Sequence, residues 1–457
     1  MQSAKTSRRD ARSAPEALAG AWDANPEIPV ATAATGEIGA AVRFLEGLFA
    51  STSFEKVSFC LWEGTRWPDD RLRPATLVLH HPGALRAMFS SGTELGVAEA
   101  YLRDDFDIVG DIEAAFELAD ILEERAAPSW RTMLANFFRL RRLPVKSGPR
   151  AAGRTYGRRR GRLHSLERDR QAVSFHYDVS NDFFRLWLDR RLVYSCAYFE
   201  RPDDDLDTAQ TAKLRHLCRK LRLQPGQRVL DIGCGWGGFA LFAARTYGVE
   251  VTGVTLSRSQ AELATARVNE SGLARAVKIE LRDFRELPDS EAYDAIVSVG
   301  MSEHVGAERL TGYFQKTRGM LKPGGVFLNH AIGDGLRPRR SRGPSFIENY
   351  VFPDGDIPPI PVVLQAAESA GFEVRDVENL REHYALTLRH WVRRLEASHG
   401  SALDFVNEAT YRVWRLYMAG SAHGFARGQL AVYQVLLAKP DLGGDAHLPL
   451  TRRDWYP

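Results

Sequence analysis

The sequence predicts an α/β fold: a mostly parallel sheet covered by helices on both faces, ending in one antiparallel strand and preceded by a small α+β unit. Three observations predict it. From about residue 228 onward, short apolar runs alternate with helical patterns, which is how crossover units read. The last apolar run, LAVYQVLLA at 430–438, comes after a long helical region, 386–419, without a crossover helix immediately before it, so it enters the sheet antiparallel. Before residue 140 that alternation is missing, and short strands mix with short helices.

The elements follow in order. IGAAVRFLEGLFA, within 36–60, has helical apolar spacing. ATLVLHHP at 75–82 reads as a short strand stopped by Pro82, and ALRAMFSSG as a helix ending at Gly92. GDIEAAFELADILEER at 110–125 puts Ile112, Phe116, Leu118, Ala119 and Leu122 on one helical face. Beyond the basic stretch at 139–170, strand candidates fall at 228–232, 250–254, 276–281, 293–299, 325–332 and 373–378. The expected organisation is a disordered start at 1–35, an α+β unit at 36–140, a basic linker at 141–170, an α/β unit at 171–440 and a tail at 441–457.

Composition bounds the function. The chain has 457 residues, 44% hydrophobic and 26% charged, which suits a globular protein of two domains. Net charge is only +3, yet ten arginines and lysines between Arg139 and Arg162 stand without an acid among them. Such a run is a solvated linker or a holder of an anionic surface, nucleic acid or lipid headgroups. Cys60, Cys196, Cys218 and Cys234 form neither a C-x-x-C pair nor a zinc pattern, so no metal is expected and a reducing cytoplasm fits. Residues 1–35 lack the apolar core of a secretory signal. No stretch approaches the ~18–20 apolar residues that a membrane span needs.

RVLDIGCGWGG at 228–238 is strand, tight turn and helix start. Gly233, Gly235 and Gly238 make G-x-G-x-x-G, whose amides favour an anionic or carboxylate group; alone the pattern is shared with dinucleotide sites. Those sites want an acid ending the second strand. Here Thr255 stands in that place, with Gln260 one helical turn on, and the acid is Asp231, before the glycines. A cofactor with an amino-acid tail and one nucleoside fits better than a pyrophosphate, and S-adenosylmethionine is such a cofactor. Asp283 and Phe284, at the third strand's end, offer an acceptor for an adenine amine and a ring to stack on it.

These residues sit in a longer series. HYDVSNDFFRLWLD at 176–189, YSCAYF at 194–199, AQTAKL at 209–214, VLDIGCGWGG at 229–238, GVTLSRSQ at 253–260, SVGMSEHVG at 298–306, NHAIG at 329–333, FPDGDIP at 352–358 and HYALTLRHW at 383–391 keep their order and spacing. In this the chain resembles the cyclopropane fatty acid synthases and mycolic acid cyclopropane synthases, class I S-adenosylmethionine-dependent methyltransferases with a Rossmann-like sheet. The resemblance implies a bicarbonate ion held by Glu303, His330 and Tyr384 and by backbone groups of Cys196 and Ile332. It implies cofactor contacts from Tyr194, Ser195, the glycine loop, Thr255, Gln260, Asp283 and Phe284, with Arg285 beside the adenine. Taken singly, Cys196, Glu303 and His330 have plain readings as a buried thiol, a surface acid and a core histidine. Their convergence at successive strand ends favours a site.

The implied reaction is methyl transfer to the cis double bond of an unsaturated phospholipid acyl chain, then proton loss to close a cyclopropane ring. Phe199 and Tyr350 are candidates to face the cation. GTELGVAEAYLRDDFDIVGDIEAAFELADIL at 92–122 looks loosely like the family's first domain, which implies engagement of bilayer lipid and the dimers common in the family. Arg337, Arg339, Arg340 and Arg342, followed by Phe346, Ile347, Tyr350, Val351 and Phe352, read as a basic, apolar lid on a protein bound peripherally to the membrane. The nearest alternative is a relative that leaves a methylene or methyl branch at the same olefin. A nucleic acid methyltransferase is disfavoured because no base pocket or RNA-binding aromatic pattern appears. A non-catalytic lipid binder is disfavoured by Asp231, Glu303, His330 and Tyr384.

Overall fold

The computed structural model describes residues 36–49, 52–124, 130–145, 165–177, 179–337 and 345–456. The start at 1–35, most of the basic stretch, and Arg339, Arg340 and Arg342 lie outside the described residues.

The first unit runs α1 (Gly36–Leu48), β1 (Val57–Cys60), β2 (Arg66–Trp67), β3 (Ala75–Leu79), α2 (Ala84–Phe89), α3 (Glu94–Leu102), β4 (Phe106–Gly110), α4 (Glu117–Glu124) and α5 (Trp130–Arg141). Its sheet has the order β2-β1-β3-β4, parallel only between β1 and β3. Strand β4 is absent from the sequence reading, and the helix expected over 110–125 is shorter. Gly110 ends β4 at φ +90°, where a Cβ would fall 2.2 Å from the Pro74 carbonyl oxygen. A 3-10 turn, Ala114–Phe116, then precedes α4. Ile112 and Leu118 are buried as expected, but Leu122 is exposed, because the helical spacing was counted across a strand end.

The second unit runs α6 (Leu166–Tyr177), α7 (Asn181–Trp187), α8 (Leu206–Lys220), β5 (Arg228–Ile232), α9 (Gly238–Tyr247), β6 (Glu250–Thr255), α10 (Arg258–Glu270), β7 (Val277–Leu281), β8 (Tyr293–Val299), α11 (Leu310–Met320), β9 (Leu321–Asp334), α12 (Phe346–Tyr350), α13 (Ile360–Ser369), β10 (Glu373–Asn379), α14 (Arg381–Ala397), α15 (His399–Ala402), α16 (Glu408–Arg427) and β11 (Leu430–Ala438). Helix α6 starts inside the expected linker and is tied down by Arg168, which forks onto Asp354 at 2.8 Å through each nitrogen. The helix starts carry the residues that satisfy orphan amides: Ser180, Asp205, Ser257 and Asn407 accept from Phe183, Thr208, Gln260 and Thr410.

The sheet order is β10-β11-β9-β8-β5-β6-β7, and β11 is antiparallel to both neighbours, as the sequence predicts. The order reverses beside β5, so the crevice at the carboxyl ends of β5 and β8 is where an open α/β sheet places its ligand.

One continuous apolar core joins the two units, from Ala41 and Phe44 in α1 to Tyr417 and Phe425 in α16. Two nearly buried arginines of α16 fasten it. Arg412 reaches the Tyr101 carbonyl at 2.9 Å and Asp104 at 2.7 Å; Arg415 reaches the Tyr101 hydroxyl at 2.9 Å and the Ile108 carbonyl at 3.1 Å. Arg389 of α14 adds a fork onto Glu113 at 2.6 and 2.7 Å.

Candidate active site

A cavity opens at the carboxyl ends of β5, β6 and β8. Its walls include Tyr177, Tyr194, Ser195, Lys213, Asp231, Gly233, Gly235, Gly238, Thr255, Gln260 and Met301. Most of the predicted cofactor residues therefore meet in one place.

The loop geometry explains its glycines. Gly233 holds φ +78° to turn the chain off β5. At Gly238 a Cβ would fall 2.9 Å from Val193 Cγ2 and 3.1 Å from the Arg191 carbonyl oxygen, so this glycine lets α9 pack against the segment leading to Tyr194. The amides of Gly233 and Cys234 both donate to the Val254 carbonyl, at 2.9 and 3.0 Å. They face the sheet, and this part of the loop is no anion cradle. Cys234 is buried against Gly253, whose missing side chain makes room for it.

Asp231 is 3% exposed, and its carboxylate makes no hydrogen bond among the described residues. Burial raises its pKa to about 7, against the pull of the Lys213 charge. An unpartnered buried carboxylate at the end of a strand fits the ammonium of the cofactor's tail. Thr255 donates to Gln260 Oε1 at 2.9 Å, which holds both side chains in place on the cavity wall.

Asp283 and Phe284 stand off this wall. Asp283 caps a 3-10 turn, Phe284–Glu286, and its carboxylate takes Arg285 at 2.7 Å; the Phe284 ring packs edge-on to Tyr313 at 5.4 Å in the core. Arg285 is shared with Asp169 at 2.9 Å. Neither side chain lines the cavity; the Asp283 carboxylate serves the cap and Arg285, and the Phe284 ring serves the core.

Beside the cavity lie the predicted anion residues. Glu303 sits on a 3-10 turn, Ser302–His304, just after β8, and its Oε1 accepts from the Ile332 amide at 2.8 Å. The Ile332 amide is thus engaged by Glu303. Glu303 Oε2 is buried without a partner, and burial raises the pKa to about 7. His330, two residues before Ile332 on β9, pairs its Nδ1 with Gln434 Nε2 of β11 at 3.3 Å. With the amide nitrogen donating, Nε2 carries the proton, and this atom too is buried without a partner. Burial, helped by Lys213 and Lys220, lowers the His330 pKa to about 3, so the ring is neutral at pH 7. The buried hydroxyls of Tyr384 and Tyr194 are held far above their usual pKa, burial first and the neighbouring tyrosines second.

Cys196 is fully buried, its thiol directed at the Ala197 carbonyl at 3.2 Å. Burial raises its pKa, so it is no nucleophile. Phe199 stacks on His390 at 5.6 Å, and the Tyr350 hydroxyl bonds Glu99 at 3.3 Å, so these two rings serve packing. The expected lid is a five-residue helix whose first residue, Phe346, and the following Val351 are core residues.

Sequence reasoning assigned no role to Lys213, Tyr177, Trp236, Met301 or Tyr417. Lys213 had a signal: with Gln210 it interrupts an apolar stripe made by Leu206, Ala209, Leu214 and Leu217 on α8. Tyr417 had none, since α16 is aromatic on several sides.

Comparison with known proteins gives the family. The pattern described as "Mycolic acid cyclopropane synthetase" matches residues 164–435. A Pseudomonas putida protein named "Probable fatty acid methyltransferase" is 40% identical over 400 residues, covering 87% of this chain and 95% of its own length. The Escherichia coli (strain K12) protein named "Cyclopropane-fatty-acyl-phospholipid synthase" is 39% identical over 286 residues, 63% of this chain and 72% of its own. The solved structure of mycolic acid cyclopropane synthase CmaA1 complexed with SAH and CTAB superposes with TM-score 0.55 at 39% identity, covering 59% of this chain and 97% of that one. With the seven-stranded sheet and the cavity at its carboxyl edge, these place the chain in the mycolic acid cyclopropane synthetase family, as an S-adenosylmethionine-dependent methyltransferase.

Proposed function

We propose that this enzyme modifies the cis double bond of an unsaturated phospholipid acyl chain and closes a cyclopropane ring there. The observation that carries the reading is the pair of orphaned polar atoms, Glu303 Oε2 and His330 Nε2, beside the donor cavity. S-adenosylmethionine supplies, when bound, an electrophilic methyl group. Asp231 would hold its ammonium, and Thr255 and Gln260 its nucleoside side.

The two orphaned atoms also fit bicarbonate: Glu303 Oε2 would accept from its hydroxyl and His330 Nε2–H would donate to its oxygens, with Tyr384 nearby. Bound there, the anion would supply a base and a negative charge in a dry site. The protein's own part is to keep water out with Tyr177, Tyr194, Trp236 and Tyr384, to keep His330 neutral, and to hold Glu303 through the Ile332 amide. An alkene is a poor nucleophile, so this exclusion protects the donor from hydrolysis.

A second reading, a methyl-branched or methylene product without ring closure, is favoured by the name of the Pseudomonas putida relative, which spans nearly the full chain. Purified protein with S-adenosylmethionine and vesicles of unsaturated or saturated phospholipid separates the cases. S-adenosylhomocysteine formed only with unsaturated lipid, and cyclopropane resonances in the product by NMR, are expected. Olefinic methylene or methyl-branch resonances would establish the second reading, and equal turnover with saturated lipid would refute both.

Access to the lipid is proposed through α5. Among the described residues no helix is long and apolar enough to cross a membrane. Helix α5 instead exposes Leu134, Phe137 and Phe138, at 45%, 51% and 55%, next to Arg141, which lies over the Phe137 ring. Leu140, and Leu143 just past the helix end, anchor it in the core. An apolar face rimmed by arginines suits an anionic bilayer surface. Replacing Phe137 and Phe138 by serine should abolish flotation with anionic vesicles. Unchanged flotation, with a change in oligomeric mass instead, would assign the face to a second copy of the chain.

A further inference from the structure

The donor cavity contains a buried cation as well as a buried anion. Lys213, on α8, is 1% exposed and lines the cavity; its ammonium makes one hydrogen bond among the described residues, to Ser195 Oγ at 3.0 Å. An ammonium has three protons to donate, so two find no acceptor. The nearby acid Asp189 is otherwise engaged: its carboxylate takes the Val193 and Arg191 amides at 2.7 and 3.0 Å. Asp231, on the same cavity wall, makes no hydrogen bond. Burial lowers the Lys213 pKa to about 8 and raises that of Asp231 to about 7. Two under-bonded opposite charges out of water are costly, and a ligand that completes both removes the cost.

The amides of Gly233 and Cys234 do not supply the positive end, since both are committed to Val254.

We infer that Lys213, with the Ser195 hydroxyl, forms a subsite for the α-carboxylate of S-adenosylmethionine, while Asp231 takes its ammonium. The cavity therefore presents a charge pair complementary to the zwitterionic tail and selects donors in which that tail is whole. Ser195 acts twice: it accepts from Lys213 and turns its proton to the carboxylate. The inference rests on the assignment of S-adenosylmethionine as donor.

Calorimetry with three ligands tests it: S-adenosylhomocysteine, its decarboxylated amine analogue, and 5′-methylthioadenosine, which lacks the tail. Wild-type protein should prefer S-adenosylhomocysteine to the decarboxylated compound by about 10- to 100-fold, the worth of a charged hydrogen-bonded pair. Lys213→Met should lose that preference while keeping wild-type affinity for 5′-methylthioadenosine, which also reports an intact pocket. Asp231→Asn should keep the preference at lower overall affinity. Equal wild-type affinity for the acid and the decarboxylated compound overturns the subsite without recourse to any variant, as does full discrimination by Lys213→Met. Failure of wild-type protein to bind S-adenosylhomocysteine at all would instead overturn the donor assignment, and the subsite with it.

Discussion

At the scale of single residues, burial sets the protonation states the chemistry needs. Glu303→Gln keeps the size and the Ile332 contact but removes the charge; turnover should fall by about 100-fold or more, with the melting temperature and S-adenosylhomocysteine affinity retained. Wild-type turnover in that variant would end the role of Glu303 at the anion site. Asp231 makes a pH prediction. In the free protein its carboxyl is raised to about 7, and the donor's ammonium needs the ionised form, so donor affinity should weaken as pH falls below about 7. Asp231→Asn should flatten that acid limb, whereas Glu303→Gln, whose group is also raised to about 7, should leave it in place. Calorimetry between pH 5.5 and 8, on the order of one measurement per half unit, checks the sign. Asp231 was legible in sequence because an acid before the glycines and Thr255 where a dinucleotide site wants one leave few ligands. Lys213 was legible as an oddity in an apolar stripe but not as part of a site, since only the fold brings α8 against the carboxyl end of β5.

At the scale of elements, the central strands β5, β6 and β8 are legible almost residue for residue, because parallel strands buried on both faces are plain apolar runs. Strand β4 was missed: FDIVG is half-polar, two-sided and short, and its glycine end looks like a helix start. The segment 335–353, arginines followed by apolar residues, reads as a lid because composition cannot tell a membrane-facing ring from one stacked on a neighbour; Phe352 lies 4.0 Å from the His176 ring. Gly238 yields the prediction at this scale. Alanine there meets Val193 and the Arg191 carbonyl, so Gly238→Ala should destabilise the protein by about 1–3 kcal/mol and loosen the segment that carries Tyr194 and Ser195. Calorimetric melting and donor affinity should fall together; a stable variant with weakened affinity would mean that the glycine serves the ligand and not the packing.

At the scale of the whole molecule, the two units behave as one body because they share a core and because α16 is pinned at both arginines. Those pins were invisible in sequence: Arg415 and Tyr101 are 314 positions apart, and nothing local distinguishes a structural arginine from a surface one. Arg415→Ala leaves the Tyr101 hydroxyl and the Ile108 carbonyl without their donor, and should cost about 3 kcal/mol. Differential scanning calorimetry should then resolve an early transition for the first unit; a single unshifted transition would show that the apolar core alone holds it. The same helix also reaches across its own width, since Tyr417, two residues past Arg415 and so on the opposite face, lies in the Glu303 and Tyr384 environment. A helix gripped by one unit, with Tyr417 set near Glu303 and Tyr384 of the other, is a lever: whatever settles the first unit on a surface also settles that neighbourhood. Turnover on vesicles should therefore exceed turnover on the same lipid dispersed in detergent, and Arg415→Ala should narrow that gap.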